Sequence, residues 1–178
     1  MGERASEPVP VVSIVGCSGV GKTTLLEKLI RELKRRGLRI ATIKHDRHGF
    51  EIDRPGKDTW RHAQAGSDVV AIASPDRVAV IARTGQELSL DEIVAHLPVR
   101  VDIVLTEGYK YGDKPKIEVS RSACGGELLC GGGEDGLLAL ATDQAHPEVR
   151  VPQYGLDDVV GLADLLEVRL LGRVSHSH

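Results

Sequence analysis

Aromatic residues are scarce in this 178-residue chain: one Trp, three Tyr and one Phe, 3% of the sequence. Its core must therefore be aliphatic, and it is poor in the aromatic platforms on which single-stranded nucleic acids stack their bases. Cysteine is scarce too. Cys17, Cys124 and Cys130 form an odd, sparse set, which excludes a disulfide scaffold and fits a reducing cytoplasm. No run of 18 or more apolar residues occurs, so no membrane-spanning helix is expected. The opening MGERASEPVP lacks the apolar stretch of a signal peptide. A net charge of −3 does not suggest a general nucleic-acid or membrane binder.

What is present is ordinary for a globular domain, 41% hydrophobic and 28% charged residues. Residues 1–10 and 173–178 read as loose tails around a single domain at 11–172, long enough to bury a core. VVSIV (11–15) is a β-branched run stopped by Gly16, a buried strand. From Lys22 to Arg36, Leu26, Leu29, Ile30 and Leu33 share one helical face, and Gly37 ends the helix. Strand patterns follow at 38–44, 101–108, 116–121 and 136–143. Helical patterns recur at 58–65 (with Asp58 as candidate cap), 88–97 (capped by Ser89) and 159–171. Two strands bracket Pro75-Asp76, an antiparallel hairpin across 68–82. Alternating apolar strands and helices predict a three-layer α/β/α fold of the P-loop nucleotide-hydrolase type, its sheet mostly parallel apart from that hairpin.

Gly16-Cys17-Ser18-Gly19-Val20-Gly21-Lys22-Thr23 matches G-x-x-x-x-G-K-[ST] at every position, with a strand before it and a helix after. The glycines allow tight curvature, so successive N–H groups face one anionic ligand at a helix N-terminus. Lys22 supplies a cation for β- and γ-phosphates, Thr23 a hydroxyl for Mg²⁺, and Thr24 reaches toward the α-phosphate. Three acids at strand ends join this set. Glu107 follows VDIVLT and stands where a carboxylate holds Mg²⁺ directly or through water; the alternative is a solvated loop acid. Asp46 follows strand 38–44 and is a candidate for Mg²⁺ or the attacking water, or else caps a loop. Asp143 ends strand 136–143 and is a candidate acceptor for the paired N–H groups of guanine, or else a turn starter.

Charge is spread unevenly. Residues 31–61 hold ten Lys/Arg against five Asp/Glu, and residues 62–178 hold ten against eighteen. Within the basic stretch, Lys44, His45, Arg47, His48, Arg54, Lys57 and Arg61 form a candidate anion or partner surface, the alternative being a solvated basic loop. His45 and His48 have no further Cys or His at ligand spacing and read poorly as metal ligands.

Three segments together, GCSGVGKTT, TIKHDRHGFEIDRPGKDTWRHAQAGSDVV and DIVLTEGYKYGDKPKIEVSR, resemble the molybdopterin-guanine dinucleotide biosynthesis protein B (MobB) family across residues 11–170. The resemblance implies a cytoplasmic GTP-binding protein of the signal-recognition-particle-like P-loop class, homodimeric and weakly hydrolytic. Such a protein assists the guanylyltransferase of molybdenum-cofactor synthesis and binds neither nucleic acid nor membrane. It also implies that Gly16 to Thr24 bind phosphates, that Lys22, Asp46 and Glu107 serve catalysis, and that Thr23, Asp46 and Glu107 lie around Mg²⁺. A P-loop small-molecule kinase and a metallochaperone GTPase are the rival readings; the first calls for an arginine-rich lid and the second for a Cys/His cluster.

Overall fold

The computed structural model describes residues 8–46, 48–126, 128–130 and 136–173. The two tails and the glycine-rich stretch 125–136 thus fall partly outside the described residues, and Arg47 wholly so. The chain forms two compact units, one of residues Met1–His45 with Pro98–His178, the other of Asp46–Leu97.

The first unit is built on a six-stranded parallel sheet. Its strands are β1 (Val11–Val15), β2 (Ile40–Lys44), β5 (Ile103–Glu107), β6 (Lys116–Ser120), β7 (Leu137–Thr142) and β8 (Gln153–Gly155), in the spatial order β2-β5-β1-β6-β7-β8. After β1 the chain crosses to one side of the sheet, and after β5 it returns to the other. β1 therefore lies at the topological switch point, where the carboxyl ends of the strands leave an open crevice.

Helix α1 (Lys22–Arg35) and helix α4 (Val159–Leu170) cover one face. Leu25, Leu26, Leu29 and Leu33 of α1 are buried, with Ile30 packed at their margin. They meet Val12, Ile14, Leu105, Ile117, Leu162 and Leu166 in one aliphatic cluster, as the lack of aromatics requires. The opposite face is different. There β5, β1 and β6 contribute Thr106, Ser13, Lys116, Glu118 and Ser120, all buried. Leu128 and Cys130 pack over this side with Val15, Leu137 and Leu140. The Glu118 carboxylate accepts the backbone N–H groups of Leu129 at 2.5 Å and Cys130 at 2.9 Å, which fastens that segment to the sheet. Period-two reading of KIEVS would send Lys116 and Glu118 to solvent; the overlying segment buries them instead.

An ionic staple joins α1 to α4. Arg36, 14% exposed, donates to Glu32 at 2.7 Å and to Asp164 and Glu167 at 2.6 Å each. Pairing with Arg35 and with Arg36 lowers the Glu32 pKa from 4.5 to about 2. Because the folded value lies below the unfolded one, this pairing stabilises the fold above pH 4.5 and is lost as pH falls toward 2. Arg36→Met leaves buried Glu32 with Arg35 alone, Glu167 with Arg173 and half-exposed Asp164 without this partner, and a loss of about 1–2 kcal/mol is expected in urea titration at pH 7. The gap from the parent protein should narrow below pH 4.5. A constant gap down to pH 2 would refute this account of the staple.

The second unit holds α2 (Asp58–Gln64), the antiparallel pair β3 (Val69–Ala73) and β4 (Val78–Ala82), and α3 (Leu90–Ala95). Helix α3 starts with a full capping box between Ser89 and Glu92. Asp58 does not cap α2, however. Lys57 holds the cap position without a side-chain bond, and Asp58 is the first helical residue, where its charge favours the N-terminus of the helix dipole. Residues 69, 71, 73, 78, 80 and 82 share one face of the hairpin, all of them Val or Ala and all exposed.

Candidate phosphate-binding site

β1 ends at Val15, and residues 16–21 turn sharply into α1 at the sheet's switch point. Gly16 takes φ +143°, and a Cβ there would lie 2.4 Å from the Val119 carbonyl oxygen, so only glycine lets the loop sit against β6. Gly21 caps α1 at φ +99° with no side-chain bond, and no acidic residue occupies the first turn. The positive end of the helix dipole is therefore left for an external anion. Lys22 folds back along the loop and donates to the carbonyls of Gly16 at 3.0 Å and Cys17 at 2.7 Å. Its ammonium spans the loop's opening residues, and Cys17 contributes its backbone rather than its thiol. Ser18, Gly19, Thr23 and Thr24 are exposed, whereas Val20 is buried beneath the loop.

Glu107 ends β5 beside β1, with Ile14 its register partner. The Thr23 hydroxyl lies 2.9 Å from one Glu107 carboxylate oxygen and 3.0 Å from the other. The two residues are 84 positions apart in sequence, and the parallel β1–β5 pairing brings them together. One hydroxyl and one carboxylate are hard oxygen donors, the set that suits Mg²⁺ when phosphates and water complete its shell. Among the described residues no group of three or more His, Cys, Asp and Glu could hold a metal ion alone.

Two features beside Glu107 were not legible in the sequence. Tyr109 has φ 53°, the one described non-glycine residue with positive φ, and its ring lies 4.7 Å from that of His45. Gly108, at φ +104°, sits so close that a Cβ would come within 3.2 Å of the His45 Cβ. The His45 N–H bonds the Glu107 carbonyl at 3.0 Å, so β2 and the segment after β5 are locked together at the carboxyl edge of the sheet. Backbone strain of this kind gathers at functional sites.

The other candidates stand on several elements of the two units. Asp143, after β7, accepts from the Ser122 N–H at 2.7 Å and from the Ser122 hydroxyl at 3.2 Å. That backbone donor, above all, holds its carboxyl below the usual range. A carboxylate has about four acceptor sites, so capacity for a further donor remains. Asp46 opens the second unit and accepts the His48 N–H at 2.9 Å, a local turn. Lys44 ends β2 and His45 follows it, both in the first unit. His48, Arg54, Lys57 and Arg61 are exposed in the second, where Arg54 and Lys57 border a groove of about 380 Å³ floored by Val70, Ile72 and Ile81. Arg47 lies outside the described residues.

A family model described as MobB, molybdopterin guanine dinucleotide synthesis protein B, matches residues 11–143. The molybdopterin-guanine dinucleotide biosynthesis adapter protein of Escherichia coli K12 is 34% identical over 164 residues, covering 89% of this chain and 91% of its own. The adapter protein of that name from Haemophilus influenzae is 44% identical over 114 residues, 64% of each chain, so this chain matches under two thirds of that relative's length. The crystal structure of Bacillus subtilis MobB superposes with a TM-score of 0.69 at 28% identity, covering 92% of this chain and 99% of that one.

Proposed function

The chain belongs to the family of molybdopterin guanine dinucleotide synthesis protein B, MobB, and we propose that it acts there as a GTP-binding adapter. In this reading it binds GTP with Mg²⁺, hydrolyses it slowly, and assists the guanylyltransferase that joins GMP to molybdopterin. The observation that carries the reading is the Thr23–Glu107 pair at the mouth of a phosphate loop whose lysine is already in place. The residues from Gly16 to Thr24 hold the phosphates, with Lys22 neutralising charge on the β- and γ-groups. Thr23 and Glu107 hold Mg²⁺, which when bound supplies charge neutralisation between the phosphates. Asp143 is assigned to the guanine edge through its remaining acceptor sites.

The second unit supports the adapter half of the proposal. One face of its hairpin is wholly apolar and exposed, Val80 to 60%. An isolated two-stranded hairpin is marginal in water, and an uncovered apolar face marks an interaction site. The occupant assigned here is the same hairpin of a second copy, giving a homodimer. Val80→Asp should then yield a monomer in sedimentation equilibrium; a dimer that survives the change would remove the hairpin from the interface.

The basic residues are assigned to an anionic partner or ligand. Arg54, Lys57 and Arg61 are exposed, and arginine grips phosphate or carboxylate through a planar fork. Changing Arg54 and Arg61 together to Glu should leave GTP binding within about threefold and weaken guanylyltransferase association more than about tenfold. The association should also weaken as salt rises, since screening shortens to about 8 Å at physiological ionic strength. Association that survives both changes and ignores salt would make the band a solvated face. The assigned compartment is a reducing one, the cytoplasm, in keeping with an odd, sparse set of cysteines of which Cys124 is exposed. No helix among the described residues is long and apolar enough to cross a membrane.

A further inference from the structure

The phosphate loop is braced from behind by a residue that no loop motif contains. Arg121 follows β6 directly, in extended conformation, and its Nε donates to the Val20 carbonyl at 3.2 Å. Its Nη2 lies 3.4 Å from where a Cβ on Gly21 would stand. The guanidinium thus lies along the Val20–Gly21 peptide, on the side that carries its oxygen.

A trans peptide is planar, with its C=O and N–H pointing in opposite directions. Fixing the Val20 oxygen therefore fixes the direction of the Gly21 N–H, which turns away from Arg121. Gly21 is the residue most in need of such a brace. It stands at φ +99° with no Cβ, no side-chain cap and no covalent restraint of its own, at the point where the loop becomes α1. Arg121 is itself held. The next residue, Ser122, gives both its N–H and its hydroxyl to Asp143, and the positive charge of Arg121 helps keep that carboxylate ionised. A chain of contacts runs from the end of β7 through the end of β6 to the last turn of the phosphate loop.

We propose that Arg121 is a positioning residue of the phosphate cradle: its bond to the Val20 carbonyl aims the Gly21 N–H at a phosphate oxygen, and the Ser122–Asp143 pairing holds Arg121 in place. The proposal rests on the nucleotide-binding reading above. It differs from a direct phosphate contact, because the bonded atom is a carbonyl and the work is done by a neutral geometry rather than by charge.

Arg Nε and the Gln side-chain nitrogen sit at the same distance along the side chain, which gives a decisive pair of variants. Arg121→Gln keeps a donor at that atom without charge; Arg121→Lys keeps charge and places no nitrogen there. The full chain would be titrated with Mg-GTP and with pyrophosphate, with Arg121→Ala and Lys22→Ala alongside. The Gly21 amide resonance would be followed by NMR without ligand. Arg121→Ala should weaken both ligands by the same factor, about tenfold, and shift the Gly21 amide before any ligand is added. Arg121→Gln should recover affinity to within about threefold of the parent protein, and Arg121→Lys should not. Rescue by Lys and not by Gln would overturn the proposal in favour of a charge contact. It would equally fail if Arg121→Ala left binding and the amide unmoved while Lys22→Ala lost affinity. If the parent protein binds neither ligand, the nucleotide reading itself fails, and the Arg121 assignment with it.

Discussion

Lys22→Ala should weaken Mg-GTP binding by about a hundredfold or more while the nucleotide-free protein melts within about 8 °C of its parent. Among the described residues the ammonium bonds two carbonyls of its own loop, Gly16 and Cys17, in a partly buried position at the mouth of the site. Removing it costs the fold about two ordinary hydrogen bonds' worth of net stability, about 2 kcal/mol and far short of unfolding it. Toward a triphosphate the same group supplies charge-assisted bonds to anionic oxygens, each about twice as strong as a neutral one. Binding and stability should therefore separate in this variant. The check is calorimetric titration beside a thermal melt. Unchanged affinity would show that the loop is not the site; a melt lowered by tens of degrees would show that Lys22 is structural.

Gly16→Ala should do the opposite and couple the two. The new Cβ would meet the Val119 carbonyl oxygen at 2.4 Å and a Val20 methyl at 3.1 Å. Val119 belongs to the buried β6 strand paired with β1, so its oxygen cannot yield without disturbing the centre of the sheet. The left-handed φ of +143° adds strain of its own. A loss of about 3 kcal/mol or more in denaturant titration is expected, with nucleotide affinity falling alongside it. Gly19→Ala is the control. Gly19 also has positive φ, at +80°, yet nothing lies within 4 Å of the added carbon. Its cost should be about 1 kcal/mol. Equal costs at the two positions would mean that backbone strain, and not the contact with β6, makes Gly16 necessary.

The phosphate loop was legible because it is contiguous and because its strand and helix flank it in register. Glu107 was legible as an acid ending an apolar strand, although only the fold pairs it with Thr23. The mostly parallel sheet and the antiparallel hairpin followed from apolar runs and from one Pro-Asp turn. The family resemblance at residues 11–170 agrees with a family match over 11–143.

What escaped was short or distant. β8 is three residues long, Gln153–Gly155, with no periodicity to read. Arg121 and Val20 are 101 positions apart, and a solitary arginine after a strand carries no signal of its own. The burial of Glu118 depends on two backbone donors from an irregular segment, which no pattern along β6 announces. Asp58 has the residue type of a helix cap but falls one position inside its helix. In each case the decisive partner lies outside the window that local pattern reading can see.

The proposed ligand is a Mg²⁺-bound guanosine triphosphate on residues 16–24, with Thr23 and Glu107 at the metal. Its most direct test is a calorimetric titration of the full chain with GTP, ATP and GMP, each with and without Mg²⁺. GTP should bind most tightly, ATP more weakly for want of guanine's donors toward Asp143, and GMP most weakly because it lacks the phosphates assigned to Lys22. Removing Mg²⁺ should weaken GTP and leave GMP unchanged. GMP binding as tightly as GTP, or GTP binding indifferent to Mg²⁺, would contradict this assignment.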